Sequence, residues 1–170
     1  MNALRKVVWM VTLTASATVL AESAGQRITP AGGQSSMTAP QQYFSGAARI
    51  DPLFPGTEAI NASGAYVTFE PGARSAWHAH PKGQHIIVTQ GVGLTQEWGK
   101  EIRRIKPGDV VWCPPGVKHW HGAAPDTAMT HLVVTGQDAD GDNVTWMDKV
   151  TDAQYSGQAA TGLAPGEASP

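Results

Sequence analysis

Short runs of alternating apolar and polar residues fill the middle of the chain, and each run ends at a turn signal. An alternation with a period of two is typical of β-strands that have one buried face. The turn signals are Pro71-Gly72, Gly91, Gly99-Lys100, Pro107-Gly108 and Pro114-Pro115-Gly116. The pattern predicts strands over residues 65–70, 85–89, 93–98, 101–105, 109–113, 119–123 and 129–135. Short strands at this regular spacing predict an all-β antiparallel sandwich or barrel.

Helix-forming patterns are scarce. The segment 151–155 can form one terminal helical turn, and no 20–50-residue repeat is present that would indicate a solenoid or propeller. The 19 glycines and 12 prolines agree with short strands joined by tight turns.

The first residues have the pattern of an export signal. Arg5 and Lys6 precede an apolar stretch over residues 7–20, and small residues follow it. The stretch is short for a transmembrane helix, which needs about 20 apolar residues. We therefore predict a cleaved signal peptide over 1–21 and a periplasmic or secreted protein; an uncleaved anchor or a buried helix is the alternative.

Two further segments lack the large apolar residues that a packed core needs. Residues 22–42 and 156–170 are rich in Gly, Ser, Pro and Ala. Such segments bury too little surface to offset the entropy of ordering, so we predict a flexible linker and a disordered tail. One folded domain remains, over residues 43–155.

Charge and cysteine content narrow the range of partners. The formal net charge is −2 and 15% of residues are charged, with no basic stripe, so we expect neither nucleic acid nor, after signal cleavage, a membrane as partner. Cys113 is the single cysteine, which excludes an intrachain disulfide; we expect it to be a small buried hydrophobe.

All six histidines lie between positions 78 and 131. Residues two apart on a strand face the same way, so His78 and His80 share a face, as do His119 and His121. Gln84 can continue the first set on the next strand, and His131 lies on a later one. A small barrel closed around these positions would gather imidazole nitrogens and a carboxamide oxygen, which suit divalent transition metals.

The same residues resemble the two conserved motifs of the cupin family. The first motif, Gly-x5-His-x-His-x3-Glu-x6-Gly, matches 72–91, and the second, Gly-x5-Pro-x-Gly-x2-His, matches 108–119. The resemblance implies a single-domain jelly-roll barrel, the double-stranded β-helix. It also implies four metal ligands: His78, His80, Gln84 and His119. Gln84 replaces the usual glutamate, so the ligand set is neutral.

The chain is similar in particular to the bacterial cupin hydroxynitrile lyases. The similar stretches include 49–54, 68–74, 108–112, 118–125, 127–131 and 146–147. The resemblance implies a manganese-dependent, R-selective lyase that cleaves and forms cyanohydrins, with Fe, Ni, Co or Zn as other possible metals. The partner would be a small cyanohydrin or aldehyde.

Three further residues are candidates for the chemistry. We predict His131 as the general base, since an imidazole with an ordinary pKa near 6.5 titrates close to neutral pH. His121 is expected to hydrogen-bond the substrate oxygen or the nitrile, and Ser75 to add a donor. The alternative for both histidines is that they only orient the metal ligands.

Two other functions use the same ligand set. A cupin dioxygenase would use Fe, Ni or Cu with O2, and a non-catalytic cupin would only bind a small ligand, because fold and metal do not determine the reaction.

We expect apolar surface on so small a barrel to favour a homodimer or homotetramer. His85, Trp77 and Trp120 are out of phase with the ligands, so we expect them to face away from the site.

Overall fold

The computed structural model describes residues 25–158, which fall into two units, 25–30 and 31–158. The predicted signal peptide, like residues 159–170 of the predicted tail, lies outside the described residues. All the elements found in the described part belong to the second unit. Its strands are β1 Met37–Thr38, β2 Phe44–Ser45, β3 Ala48–Phe54, β4 Ala62–Phe69, β5 Arg74–Ser75, β6 His78–Ala79, β7 Gln84–Gly91, β8 Gly93–Glu97, β9 Arg103–Ile105, β10 Val110–Cys113, β11 His119–Ala123, β12 Met129–Gly136 and β13 Thr145–Trp146, and its helix is α1 Asp152–Tyr155.

The strands form two antiparallel sheets that face each other. The first has the order β1-β3-β4-β12-β7-β10, and the second β13-β6-β11-β5-β2, with β8 paired to β11 and β9 paired to β8. This architecture confirms the predicted all-β cupin barrel. Each of the seven predicted strands overlaps an observed one.

Alternation along β12 shows how the pattern sorts side chains between the core and the surface. Its inward positions, which include Met129, His131 and Val133, are buried, whereas Leu132 and Val134 lie half-buried on the outer face. The main core between the sheets is built the same way. Its buried members include Phe44, Val67, Phe69, Ile86, Val88, Met129 and Val133. The predicted burial of Cys113 is also observed.

A second apolar cluster lies on the outer side of β11. Trp77 and Trp120 pack there against Val150, under the segment that carries α1. The predicted turn at 151–155 is confirmed as α1, which has a capping box between Thr151 and Gln154. The orientation of both tryptophans away from the ligand face also agrees with the prediction.

Three strands near the start of the domain, β1, β2 and β3, were not predicted. β1 pairs with β3 through Met37 and Thr38, inside the segment predicted to be a linker. β3 itself contains Pro52 and an irregular register between Pro52 and Phe54. Proline cannot donate to a ladder and argues against a strand, although it is tolerated near a sheet edge. The pairing of these strands depends on partners that local patterning does not reveal.

No helix in the described part of the chain is long and apolar enough to cross a membrane.

Candidate metal and catalytic site

Three strands bring the predicted metal ligands to one place in the barrel. His78 on β6 lies directly opposite His119 at the start of β11. His80 follows β6, and a tight turn then leads to Gln84 at the start of β7. Gly83 in this turn has φ of 81°, a conformation that glycine adopts without steric cost. All four side chains are buried.

The three ligand imidazoles are packed against one another. The ring centroids of His78 and His119 are 4.3 Å apart, and those of His78 and His80 are 5.0 Å apart. One ring nitrogen from each residue can be chosen so that the three lie within 4.8 Å of one another. Within residues 25–158, this is the group of His, Cys, Asp or Glu side chains that has metal-binding spacing.

Backbone carbonyls determine which nitrogen of each of these three imidazole rings carries the lone pair that could bind a metal. The Nδ1–H groups of His78, His80 and His119 donate to the carbonyls of Ala76 (2.9 Å), Asn143 (2.6 Å) and Val117 (2.9 Å). A carbonyl only accepts, so the proton of each neutral ring is on Nδ1 and the lone pair is on Nε2. This is the usual arrangement around a metal-bound histidine.

Several buried acceptors in this group have no protein donor. They are Nε2 of His80, Nε2 of His119 and Oε1 of Gln84. Leaving a buried polar atom unpaired costs about 1–3 kcal/mol, so a convergence of such atoms needs an explanation. A divalent cation satisfies lone pairs that no donor reaches. The residues present therefore fit the metal that the cupin motifs imply.

The electrostatics of the ligand histidines favour their neutral, metal-binding form. Burial lowers the pKa of His119 to about 4. Burial also lowers the pKa of His78 well below its usual 6.5, and the neighbouring His119 and His80 add to this effect. The pKa of His80 is lowered by burial, with a partial offset from the Asn143 carbonyl and the Gln84 side chain. At neutral pH all three rings are free to bind a cation.

His121 and His131 form a hydrogen-bonded pair beside the ligands. Nε2 of His131 is 3.1 Å from Nδ1 of His121, and the rings of Phe69 and His121 are nearly perpendicular, with centroids 5.8 Å apart. Burial lowers the pKa of His131 to about 3, and burial followed by the proximity of His131 lowers the pKa of His121 well below 6.5. Both rings are therefore neutral at pH 7.

Ser75 connects the pair to the candidate metal ligands. Its hydroxyl accepts a hydrogen bond from the backbone N–H of His121 at 3.2 Å, and Oγ lies 3.5 Å from Nδ1 of His78. Ser75 is buried on β5 and lines the same cavity as His78 and His121. The serine thus holds β5 and β11 together at the point where the two sets of histidines meet.

A cavity of about 190 Å³ opens on this site. Its walls are mainly apolar, and its polar members are grouped at the ligand end. His121 is part of the wall, whereas His131 is not and lies behind His121. The remaining lining residues are Phe44, Ile50, Ser63, Gly64, Ala65, Val67, Ser75, His78, His80, Gln84, Val133, Thr135, Asn143, Val144 and Trp146.

A larger cavity of about 420 Å³ reaches His119 at a different place. It lies between β8, β9 and β10 and contains the charged side chains of Glu97, Lys100 and Arg103. His119 is its single member from the ligand group, and His121 and His131 do not line it. The smaller cavity is therefore the one that combines three of the candidate ligands, His78, His80 and Gln84, with a further histidine.

Some residues that shape the site were not predicted. Asn143 holds His80 through its carbonyl, and Trp146 packs on His78 with ring centroids 5.0 Å apart. Thr135 accepts a hydrogen bond from the Gln84 amide at 2.9 Å. Thr135 lies on the same face of β12 as His131, so the alternation along this strand could have indicated it. Carbonyl partners have no signature in the sequence.

Comparisons with known proteins agree with this description. A profile of the cupin domain family matches residues 65–135. An (R)-mandelonitrile lyase from Granulicella tundricola is 56% identical over 124 residues, which cover 73% of this chain and 94% of that protein. A cupin-like protein from Thermotoga maritima is 40% identical, with a TM-score of 0.66 over 73% of this chain and 92% of that structure.

A cupin-2 domain from Rhodospirillum rubrum shows the same fold at lower identity. It is 21% identical, with a TM-score of 0.57 over 78% of this chain and 84% of that structure. The family profile, the two motifs and the similarity to the mandelonitrile lyase converge on one assignment. The chain belongs to the cupin family.

Proposed function

We propose that this cupin is a metal-dependent hydroxynitrile lyase, which cleaves cyanohydrins to an aldehyde and HCN and catalyses the reverse addition. The observation that carries the proposal is the position of His121. This neutral imidazole faces an apolar cavity beside a neutral ligand set, and a second imidazole supports it from behind. The name of the Granulicella tundricola relative, (R)-mandelonitrile lyase, indicates the same reaction class and R selectivity.

The metal site proposed for this function consists of His78, His80, Gln84 and His119. We propose manganese as the metal, because a carboxamide oxygen among imidazoles suits a harder divalent ion than an all-nitrogen set does. When bound, such an ion supplies Lewis acidity that favours negative charge on the substrate oxygen. The lack of a carboxylate ligand leaves more of the ion's positive charge for the substrate.

The apolar walls of the cavity hold the carbon skeleton of the substrate. Phe44, Ile50 and Trp146 offer aromatic and aliphatic surface in the cavity wall. A cavity of about 190 Å³ suits a small aryl or alkyl cyanohydrin but lies below the usual range for drug-sized ligands, about 300–1,000 Å³. The polar end of the substrate then lies towards His121 and Ser75, where the histidines are grouped.

Proton transfer in this geometry begins at His121. Its Nδ1 is engaged by His131, so Nε2 is the nitrogen left to take the proton of the substrate hydroxyl. As the C–CN bond breaks, the C=O bond forms and the departing cyanide takes that proton as HCN. We propose the tautomer in which Nδ1–H of His121 donates to Nε2 of His131, so that His131 stabilises the transient imidazolium. We therefore propose that His131, predicted as the base, acts through His121.

The direct test is turnover of racemic mandelonitrile by manganese-loaded protein under anaerobic conditions. We expect benzaldehyde release with preferential consumption of the R enantiomer, because the proposed chemistry needs a base and a Lewis acid but no oxidant. Release is followed by the absorbance of benzaldehyde, and His131→Ala is the control. If the wild-type protein released benzaldehyde no faster than His131→Ala, the lyase function would be ruled out.

Two other outcomes would redirect the assignment. A reaction that stops without O2 would support a cupin dioxygenase. A metal-loaded protein that turns over no carbonyl or cyanohydrin in a panel would support a binding protein.

We also propose that the protein self-associates through the outer face of the first sheet. Val110 and Trp112 on β10 are 62% and 49% exposed, and neighbouring outward positions continue the apolar surface. Those positions carry no formal charge: Tyr66, His85, Ile87, Leu132 and Val134. Depletion of charge is typical of interface cores, and a two-fold contact places such a patch against its own copy.

Self-association is tested by sedimentation velocity. We expect the wild-type protein to be a dimer or tetramer and Trp112→Glu to dissociate into a smaller species, because two carboxylates would meet in an apolar contact. Met147→Glu is the matched control, since Met147 is 38% exposed and lies outside this face. A monomeric wild type, or equal dissociation of both variants, would refute this interface.

A further inference from the structure

The two ends of the Gln84 carboxamide have different surroundings. Its Nε2–H donates to Oγ1 of Thr135 at 2.9 Å, and both side chains are buried. Its Oε1 is buried without a protein donor, and the Gln84 side chain lies beside His80. Thr135 lies 51 residues away on β12 and is not itself among the predicted ligands. The amide is thus held at its nitrogen and free at its oxygen.

This arrangement matters because an amide can rotate end for end. With Oε1 turned towards the lone pairs of His80 and His119, the site has a fourth acceptor for a cation. With the NH2 group there instead, the amide would donate to those same imidazoles and block the site. Only the first orientation leaves Nε2 pointing away from the ligands, where it needs another acceptor in a buried environment.

We propose that Thr135 is the positioning residue that selects the metal-binding orientation of Gln84. Its hydroxyl accepts the amide N–H while Oε1 faces the metal. Without this acceptor, the metal-bound state keeps a buried, unpaired N–H group. In the metal-free state the amide can rotate so that its N–H groups donate to the imidazoles. The free-energy cost of the missing hydrogen bond therefore falls on the metal-bound state and weakens metal affinity. The inference rests on the metal site of the proposed function but not on the lyase reaction.

The test is the manganese dissociation constant, measured by competition with a chelating dye in the absence of substrate. Thr135→Val removes the hydroxyl at nearly constant volume, and we expect it to weaken binding about 10- to 100-fold, the usual effect of losing an outer-shell partner. Thr135→Ser keeps the hydroxyl and should bind nearly as wild type. Thr130→Val makes the same chemical change on the same strand, at a hydroxyl bonded to Thr68, and should have no effect.

A double-mutant cycle separates positioning from general damage. In a Gln84→Leu background no amide remains to be oriented, so Thr135→Val should cause no further loss of affinity. Thr135→Ala serves in place of the valine variant if the latter does not fold. The proposal would be overturned if Thr135→Val bound manganese with wild-type affinity, or if Thr135→Ser bound it as weakly as Thr135→Val. It would also be overturned if Thr135→Val weakened manganese binding as much in the Gln84→Leu background as in the wild type. Because no turnover is measured, failure of the lyase assignment would leave this result interpretable.

Discussion

We expect His119→Ala to lose its bound metal, and His121→Ala to keep the metal while losing most of its turnover. His119 contributes a buried, unpartnered Nε2 to the group of three ligand nitrogens. Removing it takes away a direct ligand, so the loss should exceed the ~10–100-fold that an outer partner costs. His121 lies outside that group and is bound to His131 through Nδ1. Its removal should spare the site and lower kcat about 10²- to 10⁴-fold, the usual contribution of general acid–base catalysis.

The two variants form a matched pair, since each removes an inward imidazole from the same strand. Metal per chain is measured by plasma mass spectrometry after gel filtration, and kcat is measured with mandelonitrile at saturating manganese. Should His121→Ala emerge without metal, His121 is a ligand and our division between ligand and base is wrong. Should His119→Ala keep its metal, the proposed ligand set is wrong.

The metal-free protein should become much less stable in acid, within the pH range from about 6.5 to about 4. Burial lowers the folded-state pKa of His119 to about 4, while the ordinary value is 6.5. The unfolded chain therefore binds the proton first as pH falls, and stability is lost between these two values. Above pH 6.5 the ring is neutral in both states and stability does not depend on it. The full loss from His119 alone is on the order of 3 kcal/mol.

The remaining buried histidines act in the same direction. The pKa of His131 falls to about 3, and those of His78, His80 and His121 are also lowered by burial. Each adds up to about 1.4 kcal/mol of lost stability per pH unit. The summed loss from several such histidines approaches the whole free energy of unfolding of a small domain, about 5–15 kcal/mol. We therefore expect cooperative acid unfolding of the metal-free protein.

Urea unfolding at several pH values measures this linkage. The free energy of unfolding should be level above pH 7 and fall steeply below pH 6.5. His131→Gln removes one buried imidazole, so its slope should be shallower by about 1.4 kcal/mol per pH unit, whatever its stability at pH 8. A free energy that does not change between pH 7 and pH 5 would show that these rings are not buried in the neutral form.

Local patterning was sufficient to predict the inward histidines. The i, i+2 spacing of His78 with His80 and of His119 with His121 places each pair on one face, because a strand has a two-residue repeat. All four side chains are buried in the barrel. His85, one position out of phase with Gln84, is exposed as expected. Burial follows directly from this alternation, so sequence alone can reveal it.

Strand pairings at the edges were harder to predict. β1, β2 and β13 have two residues each, and Pro52 interrupts the pattern of β3. A two-residue strand shows no period, and its existence depends on a partner distant in the chain. The pairing of Trp146 with His78, which adds an aromatic wall to the site, is of this kind.

The sequence by itself determined the strand pattern, the inward histidines and, through the cupin motifs, the set of candidate metal ligands. Only the tertiary structure decided the tautomer of each ligand ring, the order of His121 and His131 relative to the cavity, and the anchoring of Gln84. The carbonyl that holds His80 belongs to Asn143, 63 residues away, and Thr135 is 51 residues from Gln84. A repeat of two residues specifies which face a side chain occupies. Which atoms meet across the barrel depends on the register and closure of the sheets, and these are properties of the whole fold.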